Sequence, residues 1–135
     1  MTPVTPTSPA RRITIIAVDD EVTVLALMVE TLEDMGFEAL AATGAESAMA
    51  LMAAHPEVDL LVTDVRMPGM TGVELATEAR QQHPNMPIVF VTGYAAELQN
   101  GVRNLFSKSA MLTKPFRLDS FADTVKSMVC PAPAN

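Results

Sequence analysis

Four stretches of the chain are continuously apolar or β-branched: Ile13 to Val18, Val58 to Thr63, Ile88 to Thr92 and Ala110 to Thr113. Strands covered by helices on both faces read this way, because neither side of the sheet meets water. Phe37 to Ala42 is a fifth, weaker candidate. Between the runs, Leu25, Met28, Leu32 and Met35 recur at steps of three and four, as do Leu118, Phe121, Ala122, Val125, Met128 and Val129. Each set predicts one buried stripe of an α-helix. Thr43 with Glu46 and Thr71 with Glu74 have capping-box spacing, in which the hydroxyl serves one orphan amide and the carboxylate returns to another, so two more helix starts are predicted. Those helices are expected to end at His55-Pro56 and His83-Pro84, where the residue before proline resists the α region. Strand and helix thus alternate, the signature of parallel βα units.

Both ends fall outside this pattern. Pro3, Pro6 and Pro9 lie in a Thr/Ser-rich start, and Pro131 and Pro133 lie near the other end. Residues 1–11 and 131–135 are therefore expected to be flexible tails around one domain spanning residues 12–130. With 135 residues, 49% of them apolar, the chain can bury a real core without disulfides or structural metal. Sixteen acidic residues against nine basic ones give a formal net charge of −7, which repels nucleic acid and anionic membranes and favours protein or small cationic partners. Cys130 has no bridging partner and reads as an incidental thiol, a usage that suits a reducing compartment. The apolar run after Arg11-Arg12 is interrupted at Asp19-Asp20-Glu21, too soon for an export signal or a membrane span, so a cytoplasmic protein is expected. Of ten methionines, those at 28, 35, 52 and 128 fall within helical stripes and read as core filling. His55 and His83 are placed at helix ends without an acid or Cys partner, which argues against metal binding or proton shuttling there.

The polar residues sit where such a fold does chemistry. Ligands of an open α/β sheet bind outside the carboxyl ends of the strands. Asp19-Asp20 follow the run ending at Val18, Asp64 follows the one ending at Thr63, Thr92 closes the run from Ile88, and Lys114 with Pro115 follows the one ending at Thr113. Loops and caps favour Asp for bland reasons of their own. Three carboxylates gathered within a few ångströms, however, repel one another unless a cation joins them. Mg²⁺ is the natural cation, a hard ion that prefers carboxylates, carbonyls and water and completes its shell with phosphate oxygens. A carboxylate can then attack phosphorus and form an acyl phosphate. Thr92 would donate a hydroxyl hydrogen bond and Lys114 would set a point charge against another phosphoryl oxygen. A cis Lys114-Pro115 bond would fix the lysine's direction.

Four motifs in order, Val18-Asp19-Asp20-Glu21, Asp64-Val65-Arg66-Met67-Pro68-Gly69-Met70-Thr71-Gly72, Val91-Thr92-Gly93 and Thr113-Lys114-Pro115-Phe116, resemble those of the response-regulator (CheY-like) receiver domain, the phosphoacceptor module of two-component signalling. The resemblance spans about residues 12–130. It implies a flavodoxin-like α/β fold: a doubly wound, five-stranded parallel sheet of order 2-1-3-4-5 with helices on both faces. It also implies that Asp64 accepts a phosphoryl group from a phosphohistidine of a histidine kinase or histidine phosphotransferase. Asp20 and Asp64 would bind Mg²⁺ directly, Asp19 through water, and the backbone carbonyl of Arg66 would complete the protein ligands. Output would come from docking to a downstream regulator protein, or by draining phosphoryl groups from a relay, since no effector domain is recognisable outside residues 12–130.

The chain departs from the family at Met111, where many receivers carry the Phe or Tyr that turns inward with the switch residue; a thioether would have to repack instead. Phe90-Val91-Thr92-Gly93-Tyr94 is similar to a Phe-x-Thr-Gly-Tyr signature of single-domain stress regulators with an atypical fourth helix, a signature found also in hybrid-kinase receivers. Asn100-Gly101 interrupts that helix's stretch independently, so a short or irregular helix is expected, with Tyr94 to Ser109 as the mobile element. Arg66 and Tyr94 are expected to flank the phosphoryl group and slow its loss. Two other functions compete. A Mg²⁺-dependent phosphohydrolase with an Asp nucleophile would turn over phosphate esters, yet it needs an acid where Arg66 stands. A phosphorylation-independent interaction module would have no need of the intact acids, Thr92 and Lys114.

Overall fold

The computed structural model describes residues 12–67, 69–93 and 108–129. The apolar runs form strands β1 (Thr14–Val18), β3 (Leu60–Asp64) and β4 (Ile88–Thr92), each buried at every position. The weaker candidate is a strand too, β2 (Glu38–Ala42), and β5 is Ser109–Thr113. All neighbours are parallel and the order is β2-β1-β3-β4-β5, as the doubly wound reading requires.

The helices are α1 (Val22–Asp34), α2 (Ala45–Ala54), α3 (Gly72–Gln82) and α4 (Leu118–Val129). Successive residues of each central strand feed opposite layers. Ile15, Ala17, Leu60, Val62, Val89 and Val91 pack with Leu25, Met28 and Leu32 of α1 and Phe121 and Val125 of α4. Ile16, Val18, Leu61, Ile88 and Phe90 pack with Ala48 and Met52 of α2 and Leu75, Ala76 and Ala79 of α3. Helices therefore lie on both faces, and the strand ends are the places left for polar chemistry.

Four details differ from expectation. Helix α2 begins at Ala45 with Gly44 as its N-cap and makes no side-chain cap bond, so Glu46 falls one position short of the capping-box site and Thr43 lies outside the helix. Helix α3 does carry the predicted box: Thr71 Oγ1 accepts from the Glu74 amide at 3.2 Å, and Glu74 Oε1 accepts from the Thr71 amide at 2.9 Å. Leu118, assigned to the buried stripe of α4, is exposed, and β5 is only half-buried because it closes the sheet's edge in the observed order. The His residues do cap α2 and α3, but His55 meets an acid, with Glu57 Oε2 3.3 Å from its Nδ1. The expected fourth helix and most of the expected mobile element, residues 94–107, lie outside the described residues, as do both tails. Among the described residues no helix is long and apolar enough to cross a membrane.

Candidate functional site: an acidic pocket closed by a lysine

The parallel register sets the carboxyl ends of β1, β3, β4 and β5 side by side, pairing Val18 with Thr63, Asp64 with Val91 and Thr92 with Thr113. Asp19, Asp20, Asp64, Thr92 and Lys114 thereby reach one end of the sheet. Asp19, Asp64 and Thr92 are buried, whereas Asp20 is exposed at the mouth. One carboxylate oxygen from each of Asp19, Asp20 and Asp64 lies within 4.8 Å of the others.

Backbone amides hold two of these acids in place. The Glu21 amide donates to Asp19 Oδ1 at 2.8 Å, and the Val65 amide donates to Asp64 Oδ1 at 2.7 Å. Lys114 enters from the opposite wall, after its own amide donates to the Thr92 carbonyl at 2.9 Å and ahead of a cis bond to Pro115. Its Nζ stands 2.9 Å from Glu21 Oε1, 3.0 Å from Asp19 Oδ2 and 3.2 Å from Asp64 Oδ2. Burial by itself lowers the lysine's pKa, but the three carboxylates outweigh it and hold the ammonium above its ordinary value. Burial, then the charge of Asp19, pushes the Asp64 carboxyl above the usual carboxylate value, while Lys114 and the Val65 amide pull the other way.

The donor set fits a hard divalent cation. Asp19 Oδ2 is fully buried and, although paired in distance with Lys114, no aligned hydrogen bond satisfies it. One ammonium faces a cluster of carboxylates, and oxygen ligands of this kind suit Mg²⁺.

Arg66 is exposed two residues beyond Asp64. Met111 pairs with Phe90 across the sheet and packs, partly buried, into the layer of α2 and α3. Tyr94 lies outside the described residues. Two residues gain roles from the structure that their motifs did not disclose. Glu21 reaches Lys114 across the pocket. Gly72 opens α3 against the backbone of the candidate acceptor: a Cβ there would collide with the Asp64 carbonyl oxygen and lie 2.9 Å from Val65 Cα. Its place directly behind the Thr71 cap was the available signal.

A parallel 2-1-3-4-5 sheet with an acid cluster, a Thr and a Lys at its carboxyl edge defines a receiver, and the chain belongs to the response regulator receiver domain family, which matches residues 15–126. Among its relatives, the sensor kinase CckA of Brucella abortus is 39% identical over 119 residues, covering 86% of this chain but only 12% of the kinase. The response regulator receiver protein CpdR of the same organism is 30% identical over 118 residues, covering 87% of this chain and 98% of CpdR. The structure of chemotaxis protein CheY4 of Vibrio cholerae aligns with a TM-score of 0.80 at 26% identity, covering 87% of this chain and 99% of that one.

Proposed function

We propose that Asp64 is the phosphoacceptor of a response regulator, taking a phosphoryl group from a phosphohistidine of a histidine kinase or histidine phosphotransferase in the cytoplasm. The observation that carries this reading is the contact of Lys114 with both Asp64 and Asp19, beside an acid pair with a spare buried oxygen. An Asp64 oxygen attacks phosphorus, a P–O bond forms, and the P–N bond breaks with its electron pair returning to the imidazole. Lys114 then shifts its charge to a phosphoryl oxygen and the Thr92 hydroxyl donates to another. Asp19, Asp20 and Asp64, with the Arg66 carbonyl, would hold Mg²⁺, whose chemistry is to neutralise the phosphoryl oxygens. The protein thus catalyses only its own phosphorylation and dephosphorylation and signals by contact with another protein. The unit is taken to span residues 12–130, with Arg66 and Tyr94 slowing phosphate loss.

The donor has to approach the carboxyl edge of the sheet, and the exposed Leu27 and Leu118 rim the groove beside Lys114. Apolar contact of the donor with this rim orients the phosphohistidine toward Asp64.

Incubation with a phosphorylated histidine kinase or with acetyl phosphate, in the presence of Mg²⁺, is expected to load one acid-stable, base-labile phosphoryl group per chain. Asp64→Asn is expected to load none. Equal loading of the variant would overturn the assignment, and sustained turnover of phosphate esters would replace it with a hydrolase.

A further inference from the structure

Lys114 Nζ donates to Glu21 and to Asp64 and lies 3.0 Å from Asp19 Oδ2, so an incoming phosphoryl group has to compete with these carboxylates for the ammonium. The three are not equivalent. The Asp19 side chain is 0% exposed and the Asp64 side chain 8%, and both are anchored by backbone amides. The Glu21 side chain is 63% exposed, and among the described residues its carboxylate is paired with the lysine alone. Losing that partner leaves Glu21 free to hydrate, whereas Asp19 would be left with an unpaired buried charge, and Asp64 gives up its own charge to the acyl phosphate only once the transfer is made.

We infer that Glu21 is a positioning residue, a latch that occupies Lys114 in the unmodified protein and is displaced by the incoming phosphoryl group. The inference rests on the phosphoacceptor reading of Asp64. Glu21 is the N-cap of α1 and its side chain caps nothing, so the carboxylate is committed to the lysine rather than to its own helix. The pair ties the start of α1 to the loop after β5, and Glu21, Val24, Leu27, Lys114, Phe116 and Leu118 line the groove between them. Phosphorylation therefore unties the groove's inner end, on the side where the donor is proposed to approach.

Two variants of the full chain separate the latch from simple repulsion of anions at the pocket mouth. Glu21→Gln removes the charge. Glu21→Asp keeps it but shortens the reach, and a capping Asp turns to the amides of its own helix. Each is loaded with acetyl phosphate and Mg²⁺, and beryllofluoride affinity is titrated by ¹⁵N NMR as a readout independent of turnover. Both variants are expected to load about threefold faster and to bind beryllofluoride about threefold more tightly than the parent, the factor one partly exposed ion pair carries. Parent-like behaviour of both overturns the latch, and so does an Asp variant that follows the parent while the Gln variant accelerates. A parent that takes up no phosphoryl group at all overturns the underlying assignment of Asp64, a failure visible before any variant is compared.

Discussion

Asp64 illustrates what is gained and lost when like charges are folded together. Its carboxylate is buried beside that of Asp19, with Asp20 at the mouth, and among the described residues Lys114 is the ammonium that meets them. Repulsion of this kind costs stability that a function retains. Without divalent cation, Asp64→Asn is expected to be more stable than the parent by about 1 kcal/mol, or about 3–5 °C in melting temperature for a domain of this size. Mg²⁺ should raise the parent's melting temperature and raise the variant's far less, which a pair of thermal melts with and without the ion will decide. These acids were legible in the sequence because each follows an apolar run, so the sheet had to deliver them to one edge. The bond from Glu21 to Lys114 was not, since its partners are 93 residues apart and periodicity says nothing about where two long side chains meet.

At the level of elements, the two candidate capping boxes show how spacing alone can mislead. Thr71 and Glu74 bracket the first turn of α3 and exchange both bonds, whereas the same spacing at Thr43 and Glu46 is offset by one residue because the extended Gly44 takes the N-cap position. Thr71→Ala is expected to cost about 1 kcal/mol in chemical denaturation, and Thr43→Ala to stay within about 0.5 kcal/mol of the parent. The stripe of α4 was legible at Phe121 and Val125, which are fully buried. Leu118 shares the period yet begins the helix beside the pocket mouth, where the layer ends, and a count of steps carries no signal for the end of a layer.

For the whole molecule, strand order came from resemblance to a family, because alternating strands and helices fit more than one parallel arrangement. The location of the chemistry followed from the order. It also predicts a separation of donors. Leu27→Ala combined with Leu118→Ala removes apolar area from the rim without touching an acid, so loading by a donor kinase should slow by about fivefold or more. Loading by acetyl phosphate should not change. Equal slowing with both donors would place the effect in the pocket rather than on the surface.

The loop that follows Asp64 is tied off at its base: the Gly72 amide donates to the Val65 carbonyl at 2.8 Å, and the side chain missing from Gly72 lets α3 sit directly on the peptide of Asp64. A knot of this kind sets the rope's length. Descendants of this sequence can respell the letters between Val65 and Gly72, but adding or dropping one would pull the helix off the Asp64 backbone, so drift here is confined to substitution.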